Sequence, residues 1–331
     1  MVIKPSTWKG ILALTSICTV LLGGVDPVGS RIPVLVAQQA TSRMPQTITG
    51  QLDQNSTVLE DNSSYYATHT FEGTAGETTA IELSIDDFDA YLILLDPDGE
   101  MIAQANDGVG GTNARITLTL PTTGTYTLLV NSYGAGETGH YRLETRSASA
   151  TEQALEQADQ LNQQVIELYQ VGRYGEAVPL AEAALAIREQ ASGTNHPDTA
   201  TSLNNLALLY FSQSRYGEAE LLYQRALAIR EQALGTNHPD TANSINNLAA
   251  LYESQGHYGA AIPLAEAALA IREQALGPDH PLTATSLNNL AVLYEAQGRY
   301  EEAEPLYQRA LAITEQALGP DHSTTLRVPG G

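Results

Sequence analysis

The sequence predicts a multidomain chain, a β-sandwich followed by an all-α right-handed solenoid of helical hairpins. Three observations carry this expectation. From Gln46 to about Arg146, short runs of Val, Ile, Leu, Thr and Tyr are separated by Gly, Asn and Asp turns. Beyond Thr151, Pro and Gly become rare inside segments and the apolar period changes to that of a helix. The second half then repeats itself, with His196, His238, His280 and His322 recurring every 42 residues.

The amino-terminal element, residues 1–37, reads as a secretory signal. Lys4 and Lys9 make a basic start, Ile11 to Leu22 is a short apolar run, and Leu35-Val36-Ala37 offers a small residue for cleavage. An uncleaved membrane anchor is the alternative reading of the same run. Cys18 is the only cysteine, and the bulky Ile17 before it disfavours lipidation. Residues 38–46 form a linker. The net charge of -22 and a pI near 4.5 repel phosphate backbones and anionic headgroups, which excludes nucleic acid as a partner. Lys4 and Lys9 are the only lysines, so every basic residue after the signal is arginine. Without the signal no thiol remains for disulfides, as export allows.

Residues 47–146 form the sandwich, with strands expected at Ala80–Ile85, Ala90–Leu95, Arg115–Leu120, Thr125–Asn131 and His140–Thr145. Asp96-Pro97-Asp98-Gly99 supplies a hairpin turn between Leu92–Leu95 and Met101–Ala103. The run from Asp89 to Gly99, with the later Gly124-Thr125-Tyr126-Thr127-Leu128, resembles the bacterial pre-peptidase C-terminal domain. That resemblance implies a β-sandwich of the kind appended to secreted enzymes, in some relatives tied to calcium or matrix binding. Residues 147–151 are a second linker.

Residues 152–322 carry four units. In the second, Leu203, Leu206, Ala207 and Tyr210 make one helical stripe and Ala219, Tyr223 and Ala226 another. Each hairpin alone exposes its apolar face, so stacking is what buries it. The order Leu, Leu-Ala, Tyr, Tyr, Ala, Tyr, Ala resembles the tetratricopeptide repeat. The 42-residue length and the Ala-Leu-Gly-x-x-His-Pro turn are similar to the kinesin-light-chain variety. The first unit needs a one-residue gap before Arg173-Tyr174. Second helices alternate, with Ala-Glu-Ala-Ala at 181–184 and 265–268 and Tyr-Gln-Arg-Ala at 223–226 and 307–310.

The chemistry of enzymes is not legible here. No nucleophile elbow, metalloprotease His pair or phosphate-binding glycine loop appears. The recurring histidines are spread along the solenoid and cannot converge on one ion. Gly193, Gly235, Gly277 and Gly319 are read as helix stops, with Pro197, Pro239 and Pro281 starting the next helix. No cofactor is expected, calcium excepted: Asp87, Asp89, Asp96 and Asp98 could supply oxygens, although turn-forming acids are the simpler reading.

The remaining surface is the groove lined by first helices. Asn204, Asn205, Leu208 and Phe211 gather on a face away from the apolar stripe, with counterparts Asn246, Asn247 and Glu253, then Asn288, Asn289 and Glu295. The family resemblance implies that Asn205, Asn247 and Asn289 hydrogen-bond the backbone of an extended peptide; bonding between neighbouring helices is the competing reading. The expectation is an exported, non-enzymatic scaffold binding proteins or peptides, neutral or basic rather than acidic. Two alternatives remain. One is an adhesion or glycan-binding module acting through the sandwich, with the repeats as spacer. The other, from relatives of the array, is the fore-part of a signalling protein with a caspase-like effector domain. Residues 323–331 read as a truncated tail. An uncapped last unit would expose Leu306, Ala310 and Ile313 and favour end-to-end self-association.

Overall fold

The computed structural model describes residues 42–58, 64–85, 90–106, 113–132 and 136–318. The signal, Asp87, Asp89, His322 and the tail lie outside these residues. The chain divides into two compact units within its first described helix, between Gln157 and Ala158.

The first unit is a β-sandwich. Its strands are β1 (Ser42–Arg43), β2 (Gln46–Leu52), β3 (Thr57–Val58), β4 (Tyr65–Gly73) and β5 (Thr78–Ile85), then β6 (Ala90–Leu95), β7 (Met101–Asn106), β8 (Asn113–Thr119), β9 (Gly124–Ser132) and β10 (Gly139–Ser147). One sheet runs β1-β4-β9-β6-β7 with β3 on β4, and the other runs β2-β10-β5-β8. All pairs are antiparallel except β1 with β4.

Alternation sends Phe71, Leu92, Leu94, Leu128 and Val130 of one sheet and Ile81, Leu83, Ile116 and Leu143 of the other into a shared core. Tyr126 is fully buried, stacks on Phe71 at 5.4 Å, and donates its hydroxyl to the Thr122 carbonyl at 2.7 Å. That bond ties the β8–β9 corner to the core. His69 of β4 and Tyr141 of β10 meet across the core with Nε2 and the hydroxyl 2.8 Å apart. Gly50 leaves room for this pair, since a Cβ there would lie 2.3 Å from the tyrosine ring.

The expected hairpin joins β6 to β7. Asp96 Oδ1 accepts the backbone N–H groups of Asp98 and Glu100, both at 2.9 Å, and Gly99 takes φ +82. Asp96 therefore works as a turn acid, and Asp98 is exposed. Among the described residues no three His, Cys, Asp or Glu side chains gather as metal ligands.

β10 runs through Ser147, so only Ala148 and Ser149 precede the helices, a shorter connection than 147–151. Ser149 and Glu152 explain this: each accepts the other's backbone N–H, a capping box that starts the helix early.

Eight helices follow: α1 (Ala150–Gln170), α2 (Tyr174–Ala191), α3 (Pro197–Ser212), α4 (Tyr216–Leu234), α5 (Pro239–Ser254), α6 (Tyr258–Leu276), α7 (Pro281–Ala296) and α8 (Tyr300–Leu318). Small residues set the packing. Ala207 and Ala219 are fully buried with Tyr223 and Leu251 beside them, and Ala249 with Ala261 and Ala291 with Ala303 repeat the alanine pair further on. In the last unit Ala310 and Ile313 are 0% and 4% exposed, packed on Ala284 and Leu287. This corrects the expectation that they form an open face: they fill the groove between α7 and α8. Leu306 is half-buried, and the exposed large side chain of that unit is Tyr300.

Candidate peptide-binding groove

First helices α3, α5 and α7 begin in the same way. His196, His238 and His280 are N-caps whose Nδ1 accepts the N–H two residues on, at 3.2, 3.1 and 3.1 Å, with proline at the first helical position. Thr199, Thr241 and Thr283 donate to the carbonyls of Gly193, Gly235 and Gly277 at 2.8 Å. Those glycines hold φ of +99, +93 and +97, which disfavours any other residue. The histidines are thus structural.

The asparagine pairs divide in two. The first member faces the neighbouring unit: Asn204 Nδ2 donates to Ser244 Oγ at 3.2 Å and Asn246 Nδ2 to Ser286 Oγ at 3.1 Å. Asn204, Asn205, Asn246 and Asn288 are 8%, 6%, 4% and 4% exposed, so they are removed from the ligand-facing set. The second member differs. Asn247 and Asn289 are half-buried, and Asn205 is buried with its Nδ2 lacking a hydrogen-bond partner.

Leu208 is also corrected, because it is buried among Val165, Tyr169 and Ala177 rather than lining an open surface. Phe211 is half-buried at the edge of that cluster, 5.8 Å from the Tyr216 ring. Glu253 and Glu295 are half-buried, and Glu295 accepts the Tyr307 hydroxyl at 2.6 Å. Burial first, then Glu295 and Glu253, hold the Tyr307 phenol far above its ordinary range. Both carboxylates therefore act on one hydroxyl.

A second set of residues escaped the sequence reading. Arg188, Arg230 and Arg272 recur every 42 residues and are buried. Each donates to a carbonyl and a serine at the start of the next unit's first helix. Arg230 reaches the Asp240 carbonyl at 2.9 Å and Ser244 Oγ at 3.1 Å, and Arg272 the Leu282 carbonyl at 2.8 Å and Ser286 Oγ at 2.9 Å. Ser244 and Ser286 are thus shared by the buried asparagine and the buried arginine. Arg188 adds Asp159, Arg230 adds Thr201 and Arg272 adds Asn243. Burial pulls Arg272 down to about 10. Its signal in the sequence was the period itself, in a segment poor in cations.

Residues 161–232, 222–274, 260–316 and 283–328 match the tetratricopeptide repeat model, together more than half of the chain. The chain belongs to the tetratricopeptide repeat family. This tetratricopeptide repeat protein also matches the bacterial pre-peptidase C-terminal domain over residues 65–132. Similar solved structures include BtubC (BKLC) from P. vanneervenii, at 27% identity over 53% of this chain and 71% of that one, with a TM-score of 0.44. A Podosopora anserina putative kinesin light chain with nearly identical TPR-like repeats is 28% identical over 53% of this chain and 82% of its own, again with a TM-score of 0.44. The pre-peptidase C-terminal domain of a Bacillus anthracis collagenase is 19% identical, over 32% of this chain and 92% of that domain, with a TM-score of 0.25. No curated protein matches the chain closely. The repeats make the protein a protein–protein interaction scaffold, and both of its modules are of kinds that are typically non-catalytic. The sandwich module is a bacterial type that is often extracellular. No helix among the described residues is long and apolar enough to cross a membrane.

Proposed function

We propose that this protein is an exported scaffold whose first-helix face takes extended peptide segments, neutral or basic in preference to acidic. The carrying observation is the split in the asparagine pairs. Asn204 and Asn246 donate between units, while Asn247 and Asn289, the second members of their pairs, are half-buried and reach the surface. A primary amide donates and accepts together, which suits a peptide backbone whatever its side chains.

The charge preference rests on how the arginines of the array are engaged. Arg173, Arg188, Arg215, Arg225, Arg299 and Arg309 each pair with a carboxylate, and Arg230 and Arg272 are buried between units. An acidic tail would meet acids without a clamp to hold it.

The test is fluorescence anisotropy of the full chain with labelled peptides of basic, neutral and acidic sequence. Replacing Asn247 and Asn289 together by alanine should weaken the bound peptides by about tenfold or more while leaving helical circular dichroism unchanged. Tight binding of a peptide ending in several acidic residues would overturn the charge preference. Export is tested separately, by amino-terminal sequencing of protein recovered outside the cytoplasm. Cleavage after Ala37 gives a chain starting at Gln38, and an intact Met1 contradicts it.

A further inference from the structure

The array has a second period of 84 residues. Tyr210 and Tyr294 donate to Glu182 and Glu266 at 2.9 and 2.8 Å, and Arg215 and Arg299 lie over those two rings, 3.9 and 4.1 Å from their centroids. Arg225 and Arg309 pair with Glu189 and Glu273 of the preceding units. Units one–two and three–four are therefore two copies of one structural module, the first ending on α4 and the second on α8.

The first copy shows what sits on such an end face. Leu248 and Leu251 of α5 share one buried cluster with Tyr216, Ala219, Tyr223 and Leu227 of α4, and Ile245 of α5 meets Leu227 in another. Arg230 fastens the join by donating to Ser244 Oγ. Under α5, Tyr223 is 3% exposed and Tyr216 is half-buried. The same positions on α8 hold Tyr300, Ala303, Tyr307, Leu311 and Thr314, and no helix follows α8 among the described residues. Tyr300 is 66% exposed and Tyr307 half-buried, so the surface that α5 covers on α4 is more open on α8.

Three features decide what fits there. Thr314 stands where the other units have Arg188, Arg230 and Arg272, and its hydroxyl donates to the Ala310 carbonyl at 2.8 Å. A helix arriving on α8 meets no guanidinium, so an apolar residue suits it where α5 has Ser244. At the other end of the array, exposed Gln164 and Glu167 of α1 replace the buried pairs Leu206 with Leu209 and Leu248 with Leu251. The α1 of a second copy therefore lacks the apolar pair this face requires, which argues against end-to-end stacking. Residues 319–331 carry Pro329 at the register position of Leu287, mid-helix in α7, and proline is excluded from helix interiors. Charge comes from Glu304 and Glu315, exposed acids one turn beyond Tyr300 and Leu311.

We infer that this face of α8 takes an amphipathic helix of a partner protein, with three apolar residues at the spacing of Ile245, Leu248 and Leu251 and basic residues at its flanks. The helix sits as α5 sits on α4. This rests on the scaffold role of the repeats and is independent of the groove.

The probes are labelled peptides of residues 239–254 with Ser244→Val and two arginines added at each end. Companion peptides carry Leu248→Ser with Leu251→Ser, or glutamates in place of the added arginines. Fluorescence anisotropy with the full chain should show both companions about tenfold weaker. In the chain, Tyr300→Ser with Leu311→Ser should weaken the first peptide by a similar factor. Thr314→Arg should shift the preference from valine to the natural serine at position 244, as Arg230 pairs with Ser244, an outcome that unfolding cannot produce. Equal binding of the leucine and serine peptides, or no binding of any, would overturn the inference and leave the groove reading untouched. Dimerisation of the natural chain in sedimentation, abolished by Tyr300→Ser with Leu311→Ser, would give the face to a second copy. Binding about tenfold tighter by a chain ending at Leu318 would give it to residues 319–331, and either result overturns the assignment to a partner protein.

Discussion

Arg272 has no exposed surface, yet its partners are a carbonyl, a serine and an asparagine rather than a carboxylate. The contacts make it a bolt between α6 and α7 more than an ion pair. Arg272→Ala should cost about 3 kcal/mol in chemical denaturation, from the cavity and the stranded acceptors. Arg272→Met refills volume and should recover part of that. Arg188→Ala should cost less, because its partner Asp159 is 59% exposed and returns to water. His69 is the corresponding polar group of the sandwich. Burial lowers its pKa below the ordinary 6.5, so the folded sandwich holds it neutral. Below pH 6.5 the unfolded chain takes up the proton first, so stability is full above that pH and declines as pH falls toward the folded value. Tyrosine near-ultraviolet circular dichroism of urea unfolding should show this decline, and His69→Gln should flatten it.

At the scale of elements, the helix boundaries follow from a Gly-x-x-His-Pro-x-Thr string whose members each satisfy a backbone group. Removing one cap tests this: His238→Ala should cost about 1 kcal/mol of array stability, since the Asp240 N–H loses its acceptor. The repeat period, the turn chemistry and the apolar stripes were legible because they are local and recur. The role of each asparagine was not, because Asn246 and Asn247 are adjacent letters and only the neighbouring unit, through Ser286, separates their tasks. Leu208 misled for a related reason. A helical wheel places it on the groove face, but the wheel knows nothing of the Tyr169 and Val165 side chains that cover that face in three dimensions. In the sandwich, the hairpin at Asp96 to Gly99 was legible in the same local way, whereas the His69–Tyr141 pair joins residues 72 apart and left no local signal.

At the scale of the whole array, nearest-neighbour interfaces add up to the stability of a solenoid, so an interface that lacks a shared contact is where it opens first. The 84-residue period makes the joins unequal. Units one and two share Arg225 with Glu189, and units three and four share Arg309 with Glu273. Between units two and three the equivalent positions hold Ala267 and Glu231, both exposed, so the acid is present and its arginine is not. Hydrogen exchange should accordingly be fastest around the α4–α6 contact among the three joins. Installing the missing cation supplies a sharper measurement. Ala267→Arg should raise array stability by about 0.5 kcal/mol, the modest gain of a half-exposed pair. The gain should vanish in Ala267→Arg with Glu231→Gln, because only the pairwise term depends on both side chains. A gain that survives the second substitution would instead place the benefit in the arginine stem packing along α6, and the two-module reading of the array would lose its energetic support.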